Sequence, residues 1–227
     1  MLNSLTNWLN NYRKHEACVF GRRTAKRSQA NHGALIGESL EDRLLLTVGA
    51  LDTSFGNGGL QVTDFTPLTG GADSITAISR QDDGKFVVAG VSGEFQDGAI
   101  ARYNSDGTLD TTFGAGGFVR STLLEFGGAK DMVLGAASGA SATQSIYVTG
   151  TRNNDIGVLK ITPAGEIDTT FGVSGFAFAG FTTSATAEAI TVQTVNNVEM
   201  IVAAGHTLIG GSDSDFAVAR FNASSGL

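Results

Sequence analysis

The chain of 227 residues has very little cysteine, proline, histidine or charge, and these shortages limit what it can be. A single cysteine, Cys18, makes an intrachain disulfide impossible, and we interpret it as a free thiol. Two of the only three histidines, His15 and His32, lie near the N-terminus, and the third is His206. Because no run of eighteen apolar residues occurs, we expect no membrane-spanning helix.

The sparse charge is unevenly distributed along the chain. Charged residues make up 16% of the sequence, and the net charge is −7. Residues 1–50 carry seven basic and four acidic residues, whereas residues 51–227 carry eight basic and eighteen acidic residues. An acidic body repels the phosphate backbone and gains nothing from counterion release. We therefore do not expect residues 51–227 to bind nucleic acid.

Glycine and phenylalanine are the residues that the chain has in quantity, at 31 and 14 copies. Glycine reaches backbone conformations that other residues avoid, so this much glycine is typical of short strands joined by tight turns. The hydrophobic content of 41% is enough for a packed core and argues against general disorder.

An internal repeat organises the sequence from residue 51 onwards. LDTSFG begins at Leu51, LDTTFG at Leu109 and IDTTFG at Ile167, so that successive copies are 58 residues apart. Two further landmarks recur in the same order. FVVAG, IYVTG and MIVAAG lie within the units, and ARYNSDG, LKITPAG and ARFNASSG each precede a unit boundary. Self-similarity at one fixed period indicates a repeat architecture.

Each unit is predicted to contain four strands, because short β-branched and apolar runs alternate with turn residues such as Asp83-Gly84. The predicted strands are 60–65, 74–79, 86–91 and 99–103 in the first unit, 117–124, 131–136, 145–149 and 156–161 in the second, and 175–181, 189–194, 199–204 and 215–221 in the third. We predict an all-β fold of repeated four-stranded antiparallel units of about 58 residues, a partial β-propeller. The alternative is an open β-solenoid.

The recurring Asp-Thr/Ser-Phe-Gly element is explained by architecture. The aspartates can accept hydrogen bonds from nearby backbone N–H groups in an Asx-type turn. The phenylalanines are large apolar groups at one fixed place in each unit, so we expect them to pack between neighbouring units. The glycines allow a sharp reversal into the next strand. The residues concerned are Asp52, Asp110 and Asp168, then Phe55, Phe113 and Phe171, then Gly56, Gly114 and Gly172.

These motifs closely resemble the delta-60 repeat family. The segments that carry the resemblance are LDTSFGNGG, LDTTFGAGG, IDTTFGVSG, DGKFVVAG and ARYNSDG. The resemblance covers residues 51–227 and implies a β-propeller-like fold in a large bacterial surface or secreted protein, with no catalytic residues. Three repeats are expected, at residues 51–108, 109–166 and 167–227. Because three units are fewer than the usual four to eight blades, we expect further repeats of the same chain.

The N-terminal stretch has its own resemblance. ESLEDRLLLT at 38–47, after the basic residues 22–27, resembles the LEPR-XLL-type leader of planctomycete exported proteins, with Asp42 where that motif has proline. The resemblance implies that residues 1–50 are a basic export leader, largely disordered, with cleavage possible after Ala50. The alternatives are a disordered basic tail and a segment that binds anionic lipid or nucleic acid.

No motif predicts a catalytic, cofactor-binding or metal site. His206 has no histidine counterpart in the other units, and a lone loop histidine is usually solvated. The near misses to a nucleophile elbow at 90–93 and 172–175 lack a partner base. The oxygen-rich segments 104–110 and 211–215 resemble calcium loops, but the first lacks a downstream bidentate glutamate. Its equivalent in the second unit, TPAGEID, has lost most of the ligands, so we favour turns.

We therefore expect a non-enzymatic repeat scaffold of an exported or cell-surface protein. Its expected role is binding or adhesion to an extracellular protein or glycan through variable loops at 93–98, 151–155 and 206–214. The alternative is a propeller-type hydrolase or lyase acting on polysaccharide, whose site would need residues from further blades. Its candidate carboxylates are Asp73, Glu94, Asp131 and Glu188.

Overall fold

A computed structural model describes residues 49–65, 72–93, 97–121, 128–137, 143–209 and 213–227. The chain divides into two units, 1–46 and 47–227, and every described residue belongs to the second. The predictions for the basic leader and for Cys18 therefore lie outside the described residues. No helix long and apolar enough to span a bilayer occurs in the described part of the chain.

The described residues form eleven strands in three antiparallel sheets, which we call blades 1, 2 and 3. Blade 1 contains β1 (Ser74–Arg80), β2 (Phe86–Ser92), β3 (Asp97–Tyr103) and β4 (Phe118–Ser121). Blade 2 contains β5 (Asp131–Leu134), β6 (Ile146–Arg152), β7 (Asp155–Ile161) and β8 (Phe176–Ala179). Blade 3 contains β9 (Ala185–Val195), β10 (Val198–Ile209) and β11 (Asp213–Asn222).

Within every blade, strands that follow one another in the chain pair with each other. In a solenoid a strand would instead pair with its counterpart in the next unit, so the solenoid alternative is wrong and the all-β partial propeller is confirmed. The predicted Asp83-Gly84 turn forms, because Gln81 N donates to Lys85 O at 2.8 Å and Gly84 has φ +89°.

The structural blade is offset from the sequence repeat by one strand. Strands β4 and β8 follow the second and third copies of the recurring motif, but they complete blades 1 and 2. The predicted strand 60–65 is wrong, since Leu60 makes only an isolated bridge with Gly56. This segment is the counterpart of β4 and β8, and no described strand lies where its partner would be.

The apolar core lies between the blades. One buried cluster joins Val87 and Ile100 of blade 1 to Ile146 and Leu159 of blade 2. A second cluster joins Val158 and other residues of blade 2 to residues of blade 3. The first strands of the blades contact one another in the order β1, β5, β9. Blade 2 thus buries both of its faces against neighbouring blades, as propeller blades do, whereas blades 1 and 3 each bury one face.

Candidate functional site: the joints between blades and the loop edge

The recurring motif folds into the same compact loop each time. In the loop between β3 and β4, Phe113 N donates to Asp110 O at 3.0 Å and Gly117 N donates to Phe113 O at 2.7 Å. The Asp110 carboxylate accepts hydrogen bonds from Thr112 N at 3.1 Å and from Thr112 Oγ1 at 2.6 Å. Asp52 and Asp168 accept the same two bonds from Ser54 and Thr170. The predicted Asx-type turn is confirmed at all three positions.

Each loop is fastened to the following blade by one backbone hydrogen bond. Gly114 N donates to Ala164 O at 2.8 Å. The next residue, Gly165, has to be glycine, because a Cβ at this position would lie 2.8 Å from the Phe113 ring. The same bond recurs at 2.6 and 2.8 Å in the other copies, which are Gly56 N to Asp106 O and Gly172 N to Ser225 O. The bonds from Gly114 and Gly172 fasten blade 1 to blade 2 and blade 2 to blade 3, and we call these two contacts the joints between blades.

The phenylalanine of the motif fills the joint. Phe113 is fully buried in the cluster between blades 1 and 2, and Phe171 is fully buried between blades 2 and 3. Phe55 packs edge-to-face on Phe86 of blade 1, with ring centroids 6.4 Å apart, but it is only half-buried. Phe55 differs because one blade covers it where two blades cover Phe113 and Phe171.

An ion pair beneath each buried loop was not anticipated from the sequence. Arg102 Nε and Lys85 Nζ each lie 2.7 Å from Asp110 Oδ2, and Lys160 Nζ lies 3.0 Å from Asp168 Oδ2. The available signal was a basic residue eight positions before the motif aspartate in both repeats. Arg102 also stacks on the Phe113 ring, 4.5 Å from its centroid.

These contacts keep the motif aspartates ionised. Burial alone would raise the pKa of Asp110, but hydrogen bonds from Lys85 and Thr112 and the charge of Arg102 hold that pKa far below its usual range. The pKa of Asp168 is also lowered, first by the Thr170 hydroxyl and then, against the effect of burial, by Lys160. The recurring carboxylates therefore act as fixed anions that tie each loop to its blade.

Two of the four carboxylates proposed for a catalytic alternative accept hydrogen bonds from backbone N–H groups. Asp73 accepts bonds from the backbone N–H groups of Phe65 and Gly93, and Asp131 accepts one from Ile190 N at 3.0 Å. Glu188 lies 3.8 Å from Nδ1 of His206, and Glu94 lies outside the described residues. Among the described residues, no three His, Cys, Asp or Glu side chains are grouped so that they could hold a metal ion.

The calcium-like segment 104–110 is built as a turn. Asp106 accepts hydrogen bonds from Thr108 N at 2.9 Å and from its hydroxyl at 2.7 Å, and these bonds lower the pKa of Asp106. Asn104 Nδ2 donates to the same hydroxyl, and Asp110 is engaged in the ion pair described above. The second such segment, 211–215, lies partly outside the described residues.

The predicted variable loops lie at the edge of each blade opposite to the recurring loops. The predicted bounds 93–98, 151–155 and 206–214 were too wide, because their ends belong to strands. The connections between the second and third strands are 93–96, 153–154 and 210–212, of which residues 93, 153 and 154 are described. Because successive antiparallel strands reverse direction, these connections and the recurring loops are at opposite ends of the strands. The described part of this edge includes the turn Asn153-Asn154, whose positive φ values of 50° and 65° fit a tight hairpin.

Beside that turn, blade 2 has a small cleft of about 190 Å³, lined by Arg152, Asn153, Asp155, Val173, Phe176 and Phe178. The Arg152 guanidinium lies 5.3 Å from the Phe176 ring centroid, and its Nε is buried without a hydrogen-bond partner among the described residues. Phe178 is exposed. The cleft therefore combines a cation, an amide, a carboxylate and an accessible aromatic ring.

One comparison with known proteins agrees with this architecture. Residues 81–113 match a protein family described as "Domain of unknown function (DUF5122) beta-propeller". The matched stretch contains the turn before β2, both central strands of blade 1 and the recurring loop as far as Phe113. No curated protein matches the chain. The match supports a propeller-like repeat for the part of the chain in which the first complete blade and its joint are formed.

Proposed function

We propose that residues 51–227 are a non-catalytic repeat scaffold that presents the loop edge of its blades to an extracellular protein or glycan. The observation that carries this proposal is the contrast between the two edges of the blades. At one edge the same loop, with the same hydrogen bonds, is built three times. At the other edge the connections differ in length and sequence. Loop variation on a rigid scaffold is how repeat proteins acquire binding surfaces.

The cleft of blade 2 favours a glycan among the possible ligands. Sugar rings present C–H faces that pack on aromatic side chains and hydroxyls that bond to charged and amide groups. Phe178, Arg152, Asn153 and Asp155 supply these groups at one place. The cleft extends from the turn Asn153-Asn154 at the loop edge along β8 to Val173.

Export and the absence of catalysis belong to the same proposal. Export rests on the leader-like residues 1–50, and a location outside the cell or at its surface suits an acidic body with few charges. Hydrolysis of a glycosidic bond typically uses two free carboxylates about 5–10 Å apart. Asp73 and Asp131 are instead engaged by backbone N–H groups, which supports a structural role for both.

Affinity electrophoresis of the 227-residue protein through gels containing laminarin, xylan, alginate or pectin tests this function. We expect retardation by at least one polysaccharide, and Phe178→Ala should weaken that binding about five- to tenfold. Val198→Ala, a change at the opposite edge of the blades, should leave it intact. Binding that Phe178→Ala does not weaken would contradict the glycan site. Release of reducing ends or unsaturated products would contradict the non-catalytic role.

A further inference from the structure

We propose that the open edge of blade 3 binds residues 51–63 of a second copy of this chain, head to tail. Two copies joined in this way at both ends would hold six sheets, within the range of about four to eight blades typical of closed propellers. The proposal does not depend on the ligand of the loop edge. It rests on the joint that the chain already builds twice within itself.

The internal joints fix the register that the second copy would adopt. In blade 1, β4 pairs with β3, and in blade 2, β8 pairs with β7 at the equivalent positions. Blade 3 has β11 where the other blades have β3 and β7, and residues 60–63 are the counterparts of β4 and β8. The expected pairs are Leu60 with Ala219, Gln61 with Val218, Val62 with Ala217, and Thr63 with Phe216.

The receiving face of blade 3 is apolar and uncovered. Val218 is 62% exposed, whereas its counterparts Ile100 and Val158 are both 0% exposed between blades. Phe216 is 98% exposed, whereas its counterpart Ile156 is 0% exposed. Exposed side chains at positions that are buried elsewhere in the same repeat indicate a surface that is built to be covered.

The donor segment is already folded for docking. Phe55 N donates to Asp52 O at 3.0 Å, and Gly59 N donates to Phe55 O at 2.7 Å, as in the two loops that carry an outer strand. Gly56 N also bonds to Asp106 O, so this loop already sits on blade 1. A segment held in its bound conformation loses little entropy when it binds.

The charges at the two ends are complementary. Arg220 of β11 is the counterpart of Arg102 and Lys160, which pair with the motif aspartates. Neither Arg220 nor Asp52, the first motif aspartate, has an ion-pair partner among the described residues. In the docked register Asp52 of one copy would lie beside Arg220 of the other, and both would gain the partner that their counterparts have.

The free face of blade 1 completes the match. Ile78 is 67% exposed, whereas Met132, which has the same pairing position in blade 2, is 5% exposed against blade 1. Ile75 and Ile78 line a mainly apolar hollow of about 270 Å³ together with Phe55 and Phe86. A following repeat in a longer chain would present the same groups as the second copy does. For this chain we commit to the second copy.

Light scattering of the full chain during size exclusion tests the proposal directly. We expect a mass twice the 23.4 kDa of one chain. Gln61→Pro should return the protein to the mass of a single chain. Gln61 corresponds to Val119, and the bond from Arg102 N to Gly117 O sets a register in which the N–H of Val119 faces β3. Proline lacks this N–H and would remove the corresponding hydrogen bond to the second copy. Val62→Pro is the matched control, because the N–H at this position points away from the partner strand.

A charge exchange between the two ends distinguishes association through this joint from nonspecific association. Asp52→Arg and Arg220→Asp should each weaken association at least about tenfold, and a chain carrying both changes should regain it. Unfolding curves that match the unmodified chain would show that each variant is folded. A single-chain mass at about 100 μM protein, or association that Gln61→Pro leaves unchanged, would overturn the proposal.

Discussion

Arg102 Nε donates a hydrogen bond to Oδ2 of Asp110, eight positions further along the chain, at 2.7 Å. The pair joins the third strand of blade 1 to the turn that carries Phe113, and the Arg102 guanidinium covers the ring. Lys160 and Asp168 make the corresponding pair at 3.0 Å in blade 2. The joint between blades is thus an apolar plug held in place by a buried, hydrogen-bonded ion pair.

Asp110→Asn should destabilise the fold substantially. The change leaves the Asx-type turn possible but leaves the buried Arg102 without its anion, and breaking such a pair costs about 3 kcal/mol. Asp106→Asn is the matched control, because Asp106 makes the same turn bonds to a threonine but has no ion pair among the described residues. Urea unfolding of both variants measures the difference, and equal losses would show that the ion pair contributes nothing.

The contribution of Asp110 should disappear in acid. Its folded-state pKa lies below the ordinary value of 3.8, so the carboxylate stabilises the fold above that pH. As the pH falls through the folded-state pKa, protonation removes this stabilisation. The difference in unfolding free energy between the unmodified protein and Asp110→Asn should therefore be constant above about pH 5 and shrink below about pH 4. A difference that grows in acid would have the wrong sign for this account.

Gly90→Ala should also destabilise the protein, by about 1–3 kcal/mol. A Cβ at Gly90 would lie 1.9 Å from Ser74 O, at the irregular pairing of β1 with β2. Gly180→Ala is the control, because a Cβ there meets no atom within 4 Å. Thermal unfolding followed by circular dichroism compares the two, and an unchanged midpoint for Gly90→Ala would mean that the close approach is not maintained in solution.

The sequence predicted the central strands well because their signals are local. The prediction 86–91 became Phe86–Ser92, and 156–161 became Asp155–Ile161, since β-branched runs between turn residues fix such strands without help from distant parts of the chain. The burial of Phe113 and Phe171 followed from the repeat, because a large apolar group at one fixed place in every unit requires a recurring apolar environment.

The parts that were not predicted depend on which units lie side by side. The segment 60–65 has the same pattern as β4 and β8, yet an outer strand forms only where a third strand is available to pair with it. The pairing of Arg102 with Asp110 arises because a strand and the following loop fold back on each other. The cleft beside Arg152 likewise joins residues from two separate connections and three strands.

The most direct test of the joint is the loss of stability when its phenylalanine is truncated at each of the two joints. Phe113→Ala and Phe171→Ala should each lower the free energy of unfolding in urea by about 3–5 kcal/mol, because both rings are fully buried between blades. Phe178→Ala, which truncates an exposed ring, should have little effect. Losses below about 1 kcal/mol at both joints, no larger than that of Phe178→Ala, would contradict the claim that these phenylalanines seal one blade to the next.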